Sequence, residues 1–456
     1  MNGWNAKTNT ALQFSPKFVY NQINEGENKG SKLDDNYFIL CRRGCVKYSQ
    51  FTPLTRNDDI EYLEWCENTN YQKEALNYKV TSKQIRAIAQ SSVLTPITNV
   101  NSSSLNTIKQ LLATGHVLTF STNFGDYVSD STHAAYSSGY SNENWIYDEL
   151  QNGEKVCIQC ENISPIIDPD DNFNHALSIV GYDDTIWYDY DGDGIQDDFE
   201  MGAFKIANSH GTGYGNSGYI WAMYDSVNKS SNCSDYNQSD RIPLINYYRY
   251  YSIEVGKSNL DLTAEITVSQ TDRSQHIMFL KNTDSNNVTT DQVMVSAAGG
   301  QYGYDGTELT NAQSTTFVVD YDNLVSGDRE WRSYGITVFD RFLGVPTTIN
   351  EISLVDRTGK IVCNESMSDI VDYGSINYEY YIGMVGDVNN NGIIDSNDIL
   401  RIQRFLSGDS LTNNEMVVAD VNGDGLITIQ DCTLIQKKIV GLISDFPNGV
   451  FAYIDN

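Results

Sequence analysis

Oxygen-bearing side chains recur at fixed intervals in two segments near the end of the chain. Aligning residues 387–408 with residues 420–441 gives a gap-free repeat offset of 33 (420 − 387). Each copy has such side chains at loop positions 1, 3, 5, 9 and 12 and glycine at position 6, the spacing that calcium coordination requires. Two calcium sites are therefore predicted. Their ligands would be Asp387, Asn389, Asn391, the carbonyl of Ile393, Asp395 and Asp398 in the first loop, and Asp420, Asn422, Asp424, the carbonyl of Leu426, Thr428 and Asp431 in the second.

A third loop with the same spacing lies in the middle of the chain and carries glutamate at position 12. Its other reading is a solvated acidic turn, but that turn would hold five carboxylates together without a cation, and their repulsion would open it. We therefore predict a third calcium ion at residues 189–200. Its ligands would be Asp189, Asp191, Asp193, the carbonyl of Ile195, Asp197 and Glu200.

Two strand-like segments, residues 175–182 and 203–208, flank this acidic turn. Pairing His175 with Asn208 would make them an antiparallel hairpin. A side-chain amide beside an imidazole can hold the ring toward a nucleophile, as the third member of a catalytic triad does. The sequence therefore offers His175 and Asn208 as a catalytic pair.

The surrounding pattern predicts a multidomain fold. Helix-like stretches fill residues 1 to about 120, among them one in which Ser15 is the N-cap and Pro16 the first helical residue. A period of two follows from Val117 to about Ile253, so this part is an α+β domain. Short strands separated by Asp, Asn and Gly turns then predict a β-sandwich, and the last segment is a small all-α calcium-binding domain. The predicted boundaries are 1–254, 255–380 and 381–446, with a C-terminal tail at 447–456.

Composition restricts the partners. A net charge of −30 and a pI near 4.3 argue against nucleic acid and anionic membranes, because phosphate binding needs cationic surface. The same charge can also simply keep a secreted protein in solution. The sequence has no run of eighteen apolar residues, so no membrane span is predicted. The eight cysteines indicate neither a disulfide framework nor a zinc site.

One amphipathic helix is predicted after each of the two C-terminal loops, and none before either loop. This arrangement resembles a dockerin. The resemblance implies calcium, a cohesin module of a scaffoldin as partner, and an extracellular location on a cellulosome. Because the copies differ at loop positions 10 and 11, it leaves open whether both bind the same cohesin. The residues that the resemblance assigns to cohesin binding are Ser396, Asn397 and Arg404 in the first copy, and Ile429, Gln430, Lys437 and Lys438 in the second.

The hairpin segments HALSIVGYDD and FKIANSHGTGYGNSGYIWAMYD, with FSPKFVYNQIN upstream, resemble the papain-like (C1 family) cysteine peptidases over residues 1 to about 250. The resemblance implies a cysteine endopeptidase acting on peptide or protein substrates, with His175 as acid/base partner and Asn208 as its orienter. One departure is His210, which stands where the family usually has tryptophan. The His175–Asn208 contact is then expected to be wetter and weaker.

The nucleophile is the difficulty. The family's cysteine precedes the FSPKFVYN helix, but none of the thirteen residues before Phe14 is a cysteine. Cys41 and Cys45 lie beyond that helix. No secretory signal opens the chain either. We therefore expect the sequence to begin inside the peptidase domain, by truncation or by natural loss, and the chain as it stands to be inactive. Whether it is an enzyme stays uncertain, and the alternative is a non-catalytic peptide- or carbohydrate-binding or regulatory subunit.

Overall fold

The computed structural model describes most of the chain. The described residues are 12–23, 31–52, 64–80, 86–88, 100–122, 146–149, 155–158, 175–187, 197–209, 218–224, 250–253, 260–283, 289–296, 303–306, 311–321 and 332–454. Within them, no helix is long and apolar enough to cross a membrane.

Strands outnumber helices in the described residues. The helices are α1 (Pro16–Tyr20), α2 (Leu33–Arg42), α3 (Thr69–Leu76), α4 (Ser103–Ala113), α5 (Ser396–Leu406), α6 (Asn413–Ala419) and α7 (Ile429–Ile439). The first eight strands are β1 (Arg86–Ile88), β2 (Leu118–Thr122), β3 (Ile146–Glu149), β4 (Lys155–Ile158), β5 (His175–Trp187), β6 (Met201–Ala207), β7 (Tyr219–Met223) and β8 (Tyr250–Ser252). The others are β9 (Leu262–Gln270), β10 (His276–Thr283), β11 (Thr289–Ser296), β12 (Gln313–Asp320), β13 (Arg332–Asp340), β14 (Thr347–Asp356), β15 (Ile361–Val371), β16 (Gly374–Met384) and β17 (Phe451–Ile454).

The chain folds into two compact units that are not continuous in sequence. The first unit contains residues 1–12 and 81–255, and the second contains residues 13–80 and 256–456. The fold is therefore multidomain, as predicted. The boundaries at 254, 380 and 446 stay predictions.

The first unit contains an antiparallel sheet in the order β1-β8-β2-β5-β6-β7, on which helix α4 packs, and a second sheet formed by β3 and β4. Leu105 and Ile108 of α4 are fully buried against Phe120 and Ile179. The helix ends where Gly115 adopts a φ of 84°, and the amides of residues 115 and 116 bond back to the carbonyls of residues 112 and 111. This is a Schellman C-cap, for which glycine is the favoured residue.

Two antiparallel sheets share one core in the second unit. Their orders are β11-β10-β13-β16-β17 and β12-β9-β14-β15. Alternating residues of β9 and β13, such as Ile266, Val268 and Ile336, point into this core and are fully buried. We refer to strands β9–β17 as the two-sheet region.

Residues 64–80 are joined to the two-sheet region by contacts that are distant in sequence. The Lys79 ammonium lies 2.5 Å from a carboxylate oxygen of Asp320 on β12, and both side chains are 2% exposed. The side chain of Gln72 on α3 donates to the carbonyl of Thr316 and accepts from the amide of Val318. A side chain of helix α3 therefore pairs with backbone groups of strand β12, which lies at the edge of its sheet.

The C-terminal helices α5 and α7 each follow a loop, as predicted. The expectation that no helix precedes either loop is wrong for the second loop, because α6 ends one residue before Asp420. Thr412 and Glu415 form a capping box that starts α6, and Arg401 of α5 binds the Glu415 carboxylate. The sequence T-N-N-E at residues 412–415 is a capping-box motif and indicates the start of this helix. The predicted tail also contains strand β17, which pairs with β16.

Candidate functional site

His175 and Asn208 meet at the open end of the β5–β6 hairpin. His175 begins β5 and Asn208 follows β6 directly. The imidazole Nε2 lies 2.9 Å from the amide oxygen of Asn208. That atom is fixed as the oxygen because the Ser209 backbone N–H, which can only donate, also points at it from 2.7 Å. Nε2 therefore carries the proton, and Nδ1 is the nitrogen that could accept one from a thiol.

The strand register differs from the direct pairing of His175 with Asn208 that we predicted. Ser178 is opposite Ala207, and a bulge follows between Ile179 and Gly181. Continuing this register by one residue places Asn208 opposite position 177, so His175 is its diagonal neighbour. Diagonal neighbours are within reach of long side chains. The contact thus forms although the register is shifted.

The loop predicted to hold the third calcium ion is described only at its end. Asp189, Asp191, Asp193 and Ile195 lie outside the described residues, as does His210. Asp197 precedes a short 3-10 helix, and its amide donates to a carboxylate oxygen of Glu200 over 3.1 Å. Glu200 is fully buried directly before β6. This site stays a prediction.

The thiols of Cys41, Cys45 and Cys66 are poor nucleophiles. Cys41, Cys45 and Cys66 are each buried, and burial raises their thiol pKa values to about 11, 12 and 11. The thiolate is the reactive form, so all three are protonated and inert near neutral pH. Cys45 also donates its thiol proton to the carbonyl of Ser15. None of the three has the environment of a catalytic cysteine.

The first C-terminal loop is closed by the carboxylates at its two ends. Asp387 accepts from the amides of Asn391 and Gly392 over 3.0 and 2.8 Å. Asp398 accepts from the amides of Val388, Asn389 and Asp395. These bonds close the loop between its first and last positions, and the Asp387 and Asp398 carboxylates are near enough to repel each other.

The second loop repeats this bonding. Asp420 accepts from the amides of Gly423, Asp424 and Gly425. Asp431 accepts from the amides of Val421 and Thr428. Thr428 and Asp431 also cap α7, as Asp395 and Asp398 cap α5. The duplication in sequence is therefore a duplication in structure.

Two observations show that the first loop fits a hard cation. Burial, with a smaller contribution from the nearby Asp398 carboxylate, raises the pKa of Asp387 to about 6, so a positive charge here would relieve an unfavourable environment. The side-chain oxygen of Asn389 at position 3 is buried and has no hydrogen-bond donor in the described structure. Among the described residues, no three His, Cys, Asp or Glu side chains converge enough to hold a metal alone. A calcium ion would therefore need the amide and carbonyl oxygens as well, as calcium loops generally do.

Most of the predicted cohesin contacts are exposed on α5 and α7. Six of these side chains are exposed, namely Ser396, Asn397, Arg404, Ile429, Gln430 and Lys437. Lys438 differs, because its ammonium bonds the carbonyl of Ser444 and lies near Asp445 and the ring of Phe446. The Lys438 ammonium therefore already has partners within the chain.

The prediction missed Asn448 and Lys360, which contact the second loop from outside it. Asn448 donates to the carbonyl of Asp420 over 2.7 Å and accepts from the Lys360 ammonium. The sequence Phe-Pro-Asn-Gly signals a turn at residues 446–449, but nothing in it shows where that turn packs.

Two loop–helix units in one core define a paired calcium-loop domain: Val388, Ile402, Val421 and Ile435 are all fully buried in a single cluster. Residues 385–440 match the family model of the dockerin type I domain, and this part of the chain is a type I dockerin domain. Domains of this type bind calcium and indicate a cellulosome-associated, typically extracellular protein.

Several solved structures are similar to parts of the chain. A type I cohesin–dockerin complex from Clostridium thermocellum (Coh-OlpC-Doc435) is 32% identical, with 14% of this chain and 94% of that chain covered and a TM-score of 0.13. The cysteine protease and lectin-like domains of Cwp84, a surface layer associated protein of Clostridium difficile, give 14% identity, 82% coverage of both chains and a TM-score of 0.33. The proform of the ragweed pollen cysteine protease Amb a 11 gives 12% identity and a TM-score of 0.29, over 55% of this chain and 54% of that chain. No curated protein matches the chain.

Proposed function

We propose that this chain is a cellulosomal subunit that binds a cohesin module of a scaffoldin through residues 385–440. The observation that carries this proposal is the duplicated loop–helix unit with matching carboxylate bonds in both copies. Two calcium ions would fill the loops. The exposed side chains of α5 and α7 would contact the cohesin.

A panel of cohesin modules tests the anchoring. Immobilised cohesins should capture the full chain in calcium and release it in excess chelator. Asp387→Ala together with Asp420→Ala should abolish capture, because each removes the carboxylate that bonds the position-6 glycine of its loop. The exposed Asn413→Ala at the start of α6 is the matched control and should bind like the wild type. The proposal would be contradicted if every cohesin that captures the chain in calcium still captured it in excess chelator.

Residues 1–254 are proposed to be a papain-like peptidase domain in which His175 is the acid/base partner and Asn208 its orienter. The 2.9 Å contact between Nε2 and the Asn208 oxygen supports these roles. A thiol positioned at Nδ1 would lose its proton to the ring and attack a peptide carbonyl. The peptide or protein substrate would lie along the cleft that contains this thiol.

The chain is proposed to be inactive. Removing the nucleophile of a triad costs on the order of 10⁶ in turnover, and the thiols of Cys41, Cys45 and Cys66 are buried and protonated near neutral pH. Incubation with a broad peptide library should show no thiol-dependent cleavage. Cleavage that a thiol alkylating reagent stops would contradict inactivity, and loss of that cleavage in His175→Ala would still support the assigned histidine.

The buried thiols also favour a second candidate, a non-catalytic subunit that binds peptide or carbohydrate without cutting it. A pull-down with mixed peptides and polysaccharides tests this candidate. Ligand that is retained intact after long incubation supports the binding subunit, and failure to retain any ligand contradicts it.

A further inference from the structure

Asn448 lies directly against the second dockerin loop. Its side-chain nitrogen donates to the carbonyl of Asp420 over 2.7 Å, and its backbone N–H donates to the carbonyl of Val421 over 3.1 Å. A Cβ placed on Gly423 would come within 3.1 Å of the Asn448 side-chain oxygen. Asn448 therefore contacts the loop backbone at positions 1, 2 and 4.

The other side of Asn448 is bonded to the two-sheet region. The Lys360 ammonium donates to the backbone carbonyl of Asn448 over 2.6 Å and to its side-chain oxygen over 2.8 Å. Two residues later, the amide of Val450 donates to the buried carboxylate of Asp356 over 2.7 Å. The chain then enters β17, so Asn448 links the calcium loop to an edge strand.

Position 4 shows how the two loops differ. It is Asn390 in the first loop and Gly423 in the second, and both adopt a positive φ, of 56° and 74°. Asparagine tolerates this conformation, so the backbone alone does not require glycine in the second loop. The approach of Asn448 gives a reason for the glycine, because a Cβ there would press on it. The second loop is therefore shaped to receive Asn448.

We propose that Asn448 is a positioning residue for the second calcium loop and couples calcium binding there to the docking of β17 on β16. The proposal rests on calcium filling the dockerin loops. Calcium would fix the loop backbone, and with it the two carbonyls that Asn448 bonds. Linkage is reciprocal, so the affinity that Asn448 adds for calcium equals the stabilisation that calcium adds to the Asn448 contacts.

Site-specific calcium titration of the full chain tests the first half of the proposal. The amides of Gly392 and Gly425 each donate to the position-1 aspartate of their own loop over 2.8 Å, so their NMR signals report the two sites separately. Asn448→Ala should weaken binding at the Gly425 site about tenfold, as loss of a contact behind the ligands typically does, and leave the Gly392 site unchanged. Asn413→Ala should change neither site.

Hydrogen exchange tests the coupling without any substitution. Calcium should slow amide exchange in the wild-type segment 446–454 about tenfold, and Asn448→Ala should lose most of this slowing. Equal weakening at both glycines, no weakening, or calcium-independent exchange of the wild-type segment would overturn the proposal. If neither glycine signal responds to calcium in the wild type, the proposal that calcium fills the dockerin loops is refuted as well. Two responding glycines that Asn448→Ala leaves unchanged refute this inference alone.

Discussion

The dockerin domain and the β5–β6 hairpin both place candidate side chains on short stretches of chain, but they differ in how much of the site each stretch contains. In the dockerin, every predicted ligand of one ion lies within a single loop, and carboxylate–backbone bonds organise it. In the hairpin, His175 and Asn208 meet, but the group they would act on must come from elsewhere. A metal loop is a local structure, whereas a catalytic triad is assembled from distant segments.

Chelation should produce the largest effect, and that effect is expected in the dockerin, where two of the predicted ions lie. Calcium that binds the folded state alone stabilises it by about 4 kcal/mol per site at a thousandfold excess over Kd, so two filled sites give about 8 kcal/mol. Excess EGTA should therefore unfold residues 385–446, as measured by NMR or by limited proteolysis. A dockerin that keeps its proteolytic resistance in EGTA would contradict the calcium assignment.

The ion pair of Lys79 with Asp320 tests a non-local contact that the sequence does not reveal. Lys79→Met should cost about 3–5 kcal/mol, because it removes the ammonium that bonds both oxygens of a buried carboxylate. Adding Asp320→Leu should recover most of that loss. Lys73→Met is the matched control, since its partly exposed pair with Glu265 is worth about 1 kcal/mol or less. Denaturant unfolding measures all three, and equal losses for Lys73→Met and Lys79→Met would contradict the buried contact.

These two predictions show which parts of the molecule a sequence can reveal. The calcium loops, their glycines and the helices α5 and α7 follow from a twelve-residue code that repeats. The His175–Asn208 contact also follows, because hairpin partners are close in sequence. The contact between residues 64–80 and β12 does not follow from the sequence. Lys79 and Asp320 are 241 positions apart, and no sequence motif around either residue indicates that they pair. Asn448 was missed for the same reason.

His276 should give the second unit a pH dependence. Its side chain is fully buried on β10, and burial lowers the pKa of the imidazole to about 3. In the unfolded chain the histidine pKa is near 6.5, so on acidification the unfolded state takes up a proton before the folded state does. The free energy of unfolding is therefore highest above pH 6.5 and falls as the pH is lowered toward 3. The loss should be about 2 kcal/mol between pH 6.5 and 5. Denaturant unfolding of His276→Gln should show a shallower slope in this window, and an unchanged slope would contradict the assignment.

Asn208→Ala should have the smallest effect on stability and a clear effect on the ring. The substitution loses the hydrogen bond with His175 and the one that Asn208 accepts from the exposed Ser209 amide, which together cost about 1 kcal/mol at this half-buried site. The Nε2-protonated form of His175 should lose its preference, which the ¹⁵N chemical shifts of the ring report. Asn106→Ala on α4 is the control, because its side chain bonds only a loop carbonyl. Ring shifts identical to those of the wild type would remove the support for Asn208 as the orienter.

The central claim is that calcium binds both in the dockerin and in the loop of the β5–β6 hairpin. Calorimetric titration of the metal-free full chain with calcium tests this claim most directly. The account predicts three ions per chain, two in the dockerin and one at residues 189–200. Asp193→Ala should remove one of them and Asp387→Ala with Asp420→Ala should remove the other two. Two ions with a wild-type response of Asp193→Ala would restrict calcium to the dockerin. No heat of binding at all would contradict the account.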